Sequence, residues 1–335
     1  MAGKALITGA AGFIGFHLSQ RLLGEGWQLC GVDGMTPYYD PKLKDARLEI
    51  LKSHTGFVFE QAMIEEEGRM TRITAAFQPD VIIHLAAQAG VRYSIDAPRS
   101  YVSANLIGTH EVLEAARAHP PKHLMMASTS SAYGANEKMP YAETHRAVHQ
   151  MSFYAATKVA NEAMAHSYAH LFQLPTTMFR FFTVYGTWGR PDMALFKFTS
   201  AILKDEPIDV YNHGNMQRDF TYVDDLVEGI VRLMPIAPGR EPVDAMDSLS
   251  PVAPFRVVNI GNGAPVALGA FIEAIEKAVG RKAKRNLLPM QPGDVPATWA
   301  DARLLEALVG KLPQTHIEEG VRQFVDWYRG WNGRD

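Results

Sequence analysis

The stretch "ITGAAGFIG" (residues 7–15) decides the fold predicted for this chain. It spaces Gly9, Gly12 and Gly15 three residues apart, directly after the apolar run "KALIT" (4–8) and at the start of a helical pattern. The first glycine permits a tight turn, the second lets a pyrophosphate approach the backbone, and the third lets helix and strand pack closely. Such a turn between a strand and a helix is typical of a dinucleotide-binding unit.

Residues on either side of the turn narrow down the nucleotide. Phe13 and Ile14 begin the helix, whose first amide groups and positive dipole end favour a phosphate group. Asp33 ends the next apolar run, 24 residues after Gly9. A carboxylate at this place can accept hydrogen bonds from the adenosine ribose, and it repels a 2′-phosphate. We therefore expect NAD as the cofactor, with an ordinary glycine-rich turn as the alternative.

The first half of the chain continues the alternation of strands and helices. Nearly continuous apolar runs such as "DVIIHLA" (80–86) are separated by helical patterns such as residues 105–119. This order predicts crossover units and a parallel sheet that is covered on both faces. We expect an α/β fold, with a Rossmann-type, doubly wound parallel sheet over residues 1–182, to which the chain returns near 219–260. A smaller C-terminal α/β domain is expected over residues 183–335.

Composition limits the classes of function. The 335 residues carry a net charge of −3 and show no basic stripe, which argues against nucleic-acid binding. Cys30 is the only cysteine, so neither an intrachain disulfide nor a thiolate metal cluster can form. No apolar run has the length that a membrane-spanning helix needs. We expect a cytoplasmic enzyme without a bound metal.

Candidate catalytic groups occur near the middle of the chain. Tyr154 and Lys158 lie four residues apart in a helical pattern, which places both side chains on one face. A nearby ammonium lowers the pKa of a phenol and makes it a usable base near neutral pH. Upstream, the hydroxyl-rich run "STSS" (128–131) follows a predicted strand, where hydroxyls either cap a turn or bind a ligand. Ser128 is nearest to the strand, so we expect it to hydrogen-bond the backbone.

At these residues the chain resembles the extended short-chain dehydrogenase/reductases that act on nucleotide sugars. Four stretches narrow the resemblance to the UDP-glucuronate 4-epimerases. They are "HLAAQAGVRYS" (84–94), "RFFTVYGTWGRPDMALFKF" (180–198), "RDFTYVDD" (218–225) and "QPGDVPATWAD" (291–301). The resemblance implies NAD-dependent inversion at C4 of UDP-glucuronate, which gives UDP-galacturonate through a transient 4-keto sugar.

The resemblance also implies roles for individual residues. Tyr154 takes the proton from the sugar O4, and Thr129 shares the hydrogen bond to that oxygen. Lys158 holds the cofactor ribose and lowers the pKa of the tyrosine. Arg218 is expected to bind the diphosphate of the UDP-sugar, because its planar donor fork suits phosphate. Arg92 lies near the sugar in the family.

The hydroxyl groups have a chemical reason in a uronic acid. A uronate oxidised at C4 is a β-keto acid, which loses CO₂ when the C–CO₂⁻ bond aligns with the carbonyl π system. Neutral hydroxyls can hold the carboxylate out of alignment without a strong acid or base nearby. The hydroxyls expected to face the carboxylate are Thr129, Ser130, Ser131 and Thr183. Arg190 is a further candidate, for contact with the uronate or with its neighbouring phosphate. Related UDP-xylose-forming decarboxylases carry Glu where Ser131 stands, and UDP-galactose 4-epimerases carry Asn where Thr183 stands.

Further expectations concern the nucleotides at both ends of the site. Asp294 is expected to hold the uridine ribose. Met63 stands where relatives usually carry an Asp that meets the adenine amino group, so this contact and the retention of NAD are in doubt. Gly34 follows Asp33 where an Asn is common.

The resemblance implies a homodimer, and two other functions stay open. Helices near 105–119 and 152–172 match those that relatives pair across a two-fold axis into a four-helix bundle. One alternative is a UDP-hexose (glucose/galactose) 4-epimerase. The other is a catalytically silent NAD-binding regulator, against which the presence of Tyr154, Lys158 and Thr129 argues.

Overall fold

The computed structural model describes residues 2–291 and 293–333. Pro292, which belongs to one of the sequence motifs, and Met1 and residues 334–335, which belong to the predicted domains, lie outside the described residues. The strands are β1 (Lys4–Thr8), β2 (Gln28–Asp33), β3 (Phe57–Gln61), β4 (Val81–His84), β5 (His123–Thr129), β6 (Thr176–Phe181), β7 (Thr183–Tyr185), β8 (Ile208–Val210), β9 (Gln217–Tyr222), β10 (Phe255–Ile260), β11 (Pro265–Ala267), β12 (Arg285–Leu287) and β13 (Ala297–Thr298). The α-helices are α1 (Phe13–Gly24), α2 (Lys42–Lys52), α3 (Arg69–Phe77), α4 (Tyr93–Asp96), α5 (Pro98–Tyr101), α6 (Gly108–Ala118), α7 (Phe153–Phe172), α8 (Ala194–Leu203), α9 (Val223–Leu233), α10 (Leu268–Val279), α11 (Arg303–Val309) and α12 (Ile317–Asn332).

The central element is a parallel sheet of seven strands within the described part of the chain, in the order β10-β6-β5-β4-β1-β2-β3. Helices α1, α2 and α9 pack on one face, and α3, α6 and α7 pack on the other. A strand covered on both faces must be apolar throughout, and every residue of β4 is buried. The predicted α/β fold with a Rossmann-type parallel sheet is therefore confirmed.

The order of the strands reverses between β1 and β4, which are neighbours in the sheet. In doubly wound sheets the crevice at such a switch point, outside the carboxyl ends of the strands, is where ligands bind. The turn after β1 lies at this edge, and so do the residues that follow β4 and β5. The fold thus brings the glycine turn and the hydroxyl run to one side of the sheet.

A second, smaller sheet lies beyond that edge. Strand β9 pairs with β7, β11 and β13, and a third hydrophobic cluster packs α8, α10 and α12 against this region. The chain returns to the first sheet through α9 and β10, which pairs with β6. Since β9 belongs to the second sheet, the return begins at Val223. The predicted division of the chain at residue 182 stays a prediction.

One helical region differs from its prediction, and a second has no counterpart in the sequence analysis. The helix predicted over 105–119 is regular only from Gly108 to Ala118. It is preceded by a π-helix at Val102–Ile107, which runs directly into α6. No apolar periodicity in the sequence predicts α2, because the charged residues Lys44 and Arg47 are among those it buries. Among the described residues, no helix combines the length and the apolar character that crossing a bilayer requires.

Candidate active site

A large cleft opens between the carboxyl edge of the main sheet and the second sheet, with a volume of about 980 Å³. Every site residue predicted from the sequence lines it. These residues are Gly9, Gly12, Phe13, Ile14, Gly15, Asp33, Arg92, Thr129, Ser130, Ser131, Tyr154, Lys158, Thr183, Arg190, Arg218 and Asp294. The volume lies at the upper end of the range for small-molecule sites, which suits a pair of extended ligands.

The glycine turn at one end of the cleft has the shape that a dinucleotide needs. Gly9 adopts φ +74°, a conformation that glycine favours, and its amide donates to the Val32 carbonyl at 2.7 Å. A Cβ on Gly12 would stand 2.9 Å from the Gly9 carbonyl oxygen, and one on Gly15 would collide with the same oxygen. Gly12 caps α1 without a side chain, so nothing on this residue covers the first amides of the helix. The residues present therefore fit the pyrophosphate of NAD.

Asp33 lies at the end of β2 beside this turn. Its carboxylate accepts hydrogen bonds from the Ala11 amide at 3.2 Å and the Met35 amide at 2.8 Å. The Lys44 ammonium lies 3.4 Å from the same carboxylate. Part of the negative charge is thus balanced by the protein. The carboxylate still lines the cleft, at the place expected for the adenosine ribose.

The two departures from the family pattern turn out to be in contact. A Cβ on Gly34 would collide with the Met63 sulfur, so glycine at 34 makes room for methionine at 63. Both residues line the cleft next to Asp33. This wall is apolar, whereas the family pattern would place an Asn and an Asp there.

Tyr154 lies in the first turn of α7 and lines the cleft. Burial raises the pKa of its phenol, while the positive charge of Arg190 and a hydrogen-bonding interaction with Thr129 act in the opposite direction. The resemblance assigns the pKa-lowering charge to Lys158. That role of Lys158 stays a prediction, and Arg190 is a second charge that acts in the same direction.

Lys158 lies one helical turn after Tyr154 on α7. Its ammonium donates to the Ala127 carbonyl of β5 at 2.9 Å, and the residue is buried. Burial lowers the pKa of Lys158 to about 8, against the negative charge of Glu162, which raises it. The ammonium is thereby fixed to the strand that carries the hydroxyl run.

The four hydroxyls at 128–131 are divided differently from the prediction. Ser128 donates its hydroxyl to the Glu162 carboxylate at 2.6 Å, so the expected backbone partner is wrong. Thr129 provides the cap instead, because its hydroxyl accepts from the Ser131 amide at 3.1 Å and starts a short 3₁₀ helix at Ser130–Tyr133. Ser130 and Ser131 line the cleft.

Arg190 reaches the sugar region from the second half of the chain and is tightly held. Its Nε donates to Asp192 at 3.0 Å, and the Tyr38 hydroxyl donates to the same carboxylate at 3.1 Å. Burial acts to lower the pKa of Arg190, but the adjacent Asp192 raises it above its usual value. A permanently charged guanidinium therefore faces the region around Tyr154.

The far end of the cleft brings together the remaining predicted residues. Arg92 pairs with Asp294 at 3.3 Å and lies over the Tyr211 ring, 4.8 Å from its centroid. Burial lowers the pKa of Arg218, against the nearby Asp294 charge. The Arg218 guanidinium donates to the Gln217 carbonyl at 2.9 Å. Two arginines thus flank one carboxylate, a surface with net positive charge that suits a diphosphate.

Three residues of the site have no role in the sequence analysis. Tyr38 and Asp192 hold Arg190, and only the proximity of Asp192 in "RPD" could have indicated a partner. Glu162 lies four residues after Lys158 on the same helix face, so its spacing was a usable signal. His166 and His170 lie four residues apart on the same helix, but neither lines the cleft. His166 hydrogen-bonds with the Ser250 hydroxyl, and His170 hydrogen-bonds with the Val252 carbonyl of the same loop.

Comparison with known proteins gives a family and several relatives. Residues 5–242 match the NAD dependent epimerase/dehydratase family. The chain is similar to a probable UDP-glucuronate 4-epimerase from Rhizobium meliloti, with 60% identity over 329 residues, which cover 97% of this chain and 96% of that protein.

Two solved structures share the whole architecture. The UDP-glucuronic acid 4-epimerase from Bacillus cereus, in complex with UDP-glucuronic acid and NAD, superposes with a TM-score of 0.87 at 31% identity. The match covers 98% of this chain and 99% of that one. The UDP-glucose 4-epimerase from Thermotoga maritima, with UDP-glucose, gives a TM-score of 0.85 at 27% identity, with coverage of 98% and 99%.

Proposed function

The chain belongs to the NAD dependent epimerase/dehydratase family, and from that premise we propose that it is an isomerase that interconverts UDP-glucuronate and UDP-galacturonate by inverting C4. The observation that carries this proposal is the lining of the cleft around Tyr154. Neutral hydroxyls occupy positions 130, 131 and 183, and Arg190 lines the same cleft. Such a lining suits an anionic sugar whose carboxylate must stay attached.

NAD is the cofactor, and when bound it supplies the acceptor and donor of the C4 hydride. The glycine turn, the start of α1 and Asp33 would hold it, with Lys158 at its nicotinamide ribose. Tyr154 removes the proton from the sugar O4 and later returns it. Thr129, which interacts with the Tyr154 phenol, shares this hydrogen bond. The charge of Arg190 favours the phenolate form that a base requires.

The same groups account for retention of the carboxylate. Ser130, Ser131 and Thr183 can donate to the uronate without supplying an acid or base of their own. Arg190 adds a charge-assisted contact, which holds the carboxylate at a fixed angle to the oxidised C4. A carboxylate side chain at position 131 would instead repel the uronate.

We extend the proposal to a homodimer. The α7 residues Phe153, Leu171 and Phe172 are exposed, as is Ile107, the last residue of the π-helix that runs into α6, although all four are large and apolar. A second copy packing against these two helices would cover them. Light scattering coupled to gel filtration would measure the mass, and a monomer at micromolar concentration would contradict the dimer. We also propose a cytoplasmic location, which agrees with a single buried, unpaired Cys30.

Product analysis tests the activity directly. The purified protein, with NAD added, is incubated in parallel with UDP-glucuronate and with UDP-glucose, and the products are resolved by ¹H NMR. The proposal predicts UDP-galacturonate from the first substrate at a rate well above any turnover of the second. Formation of UDP-xylose or a 4-keto pentose would contradict it. Preferred turnover of UDP-glucose would instead support the UDP-hexose 4-epimerase alternative.

A further inference from the structure

A buried group of three side chains lies directly behind the catalytic residues. The Ser128 hydroxyl donates to Glu162 at 2.6 Å. Arg180 donates to both oxygens of the same carboxylate, from Nε at 2.9 Å and from the terminal nitrogen at 2.7 Å. All three residues are buried, so water does not compete for these hydrogen bonds. We call Ser128, Glu162 and Arg180 the carboxylate clamp.

The carboxylate clamp joins three elements that carry the active site. Ser128 is the residue before Thr129 at the end of β5, and Arg180 lies on β6, which pairs with β5 in register Ser128↔Arg180. Glu162 lies on α7, one helical turn after Lys158 and two turns after Tyr154. Lys158 makes a second link between the same helix and strand, through the Ala127 carbonyl.

The charge of Glu162 also acts on Lys158. Burial lowers the pKa of Lys158 to about 8, and Glu162 is the group that opposes this fall. From β4, His84 also faces Lys158, but burial lowers the pKa of this imidazole to about 3, so it is neutral at the pH of the reaction. Arg180 balances much of the Glu162 charge, and its guanidinium lies over the Tyr133 ring at 4.6 Å.

We infer that Glu162 is a positioning residue for the epimerisation: it fixes α7 to the end of β5, so that Tyr154, Lys158 and Thr129 stay in register. The inference rests on the proposed function, because it concerns the same catalytic residues. Two properties of the Glu162 side chain can be tested separately: its length, which allows the hydrogen bonds to Ser128 and Arg180, and its negative charge, which acts on Lys158.

The chain contains a matched pair for comparison. Arg256 binds Asp247 with the same two-pronged geometry, at 2.8 and 2.9 Å, and both side chains are buried. Arg256 lies on β10, the edge strand next to β6. Neither residue is among the described residues that line the cleft. Asp247→Asn therefore reports what loss of a buried arginine partner does to stability alone.

The test measures kcat, KM and thermal stability against pH for three holoenzyme variants. Glu162→Gln keeps the reach of the side chain and loses the charge, whereas Glu162→Asp keeps the charge and loses reach. We expect kcat to fall about tenfold in both, the equivalent of one misplaced hydrogen bond, with KM for the UDP-sugar unchanged. Without the Glu162 charge, Lys158 loses its proton at lower pH. The alkaline limb of the kcat profile therefore moves down by about one pH unit in Glu162→Gln and stays in place in Glu162→Asp.

One further titrating group lies near the clamp. Burial raises the pKa of the Glu143 carboxyl to about 7, and its backbone carbonyl accepts from Arg180 at 3.4 Å. Glu143 is present in wild type, both Glu162 variants and Asp247→Asn, so any effect of its titration is common to all four profiles. The predicted movement concerns the alkaline limb.

The outcomes separate this inference from its premise. If wild type does not epimerise UDP-glucuronate, the proposed function is wrong. If wild type does so, but both Glu162 variants match Asp247→Asn in kcat and pH profile, the positioning role is wrong. Should Glu162→Gln fail to fold, Ser128→Ala decides, because it leaves the ion pair intact and removes only the link to β5. We expect it to lower kcat about threefold at constant KM, and an unchanged kcat would overturn the inference.

Discussion

The two ends of the cleft are built in different ways. The nucleotide end is made mainly of backbone from one contiguous segment, the turn at 9–15, where even a single Cβ would meet the Gly9 carbonyl. The sugar end is made of side chains that come from widely separated positions, such as Thr129, Tyr154 and Arg190. Substitutions at the nucleotide end should therefore act by steric collision with the backbone. Substitutions at the sugar end should act by removing a charge or a hydrogen-bonding group.

Removing the phenol should have the largest effect. We expect Tyr154→Phe to lower kcat by about 10³-fold, the size of a lost general base, while NAD affinity stays the same. Tyr168→Phe on the same helix is the control, since its hydroxyl donates to Glu114 at 2.6 Å away from the cleft. Epimerisation by Tyr154→Phe at the wild-type rate would restore the alternative of a silent NAD-binding regulator.

Removing the guanidinium of Arg190 should weaken the binding of a charged sugar much more than the binding of a neutral one. We expect Arg190→Met to weaken binding of UDP-glucuronate about 100-fold, because the uronate loses a charge-assisted contact in a buried site. Binding of UDP-glucose, which has no carboxylate, should change far less. Calorimetric titration of both ligands in the presence of NAD measures the ratio. An equal loss for the two sugars would place Arg190 elsewhere than at the uronate.

Adding a methyl group to the turn should weaken the nucleotide end. In Gly15→Ala the new Cβ collides with the Gly9 carbonyl, so we expect NAD affinity to fall about tenfold through distortion of the turn. Gly24→Ala near the end of the same helix meets nothing within 4 Å. It should raise stability by about 0.5–1 kcal/mol and leave NAD binding alone. Thermal shift with and without NAD reports both effects, and equal behaviour of the two variants would break the comparison.

Changing a side chain at the nucleotide end should have the smallest effect. Met63→Leu conserves volume next to Gly34, so NAD affinity should change by about twofold at most. Gly34→Ala provides the contrast, because its Cβ collides with the Met63 sulfur. Fluorescence titration with NAD compares them. A larger loss in Met63→Leu than in Gly34→Ala would show that the side chain, and not the space, matters at this end.

The same contrast explains which features the sequence predicts. The glycine turn depends on local spacing, and the strands β1, β2 and β4 depend on apolar runs. Both signals can be read directly from the sequence. The cap at Thr129 in place of Ser128 cannot be predicted from the sequence, because Ser128 hydrogen-bonds with Glu162, which lies 34 residues away. The position of Arg190 likewise depends on a distant residue, because its partner Asp192 accepts a hydrogen bond from Tyr38 in the other half of the chain. Helix α2 could not be predicted from the pattern of apolar residues, because two of the residues on its buried face, Lys44 and Arg47, are charged.

The central claim is that one site removes and returns the C4 hydrogen while the carboxylate stays attached. UDP-glucuronate carrying deuterium at C4 and ¹³C in the carboxylate, followed by NMR in ordinary water, tests both halves at once. The account predicts UDP-galacturonate with deuterium still at C4 and ¹³C still in its carboxylate. Release of ¹³CO₂, or replacement of the deuterium by solvent hydrogen, would contradict it.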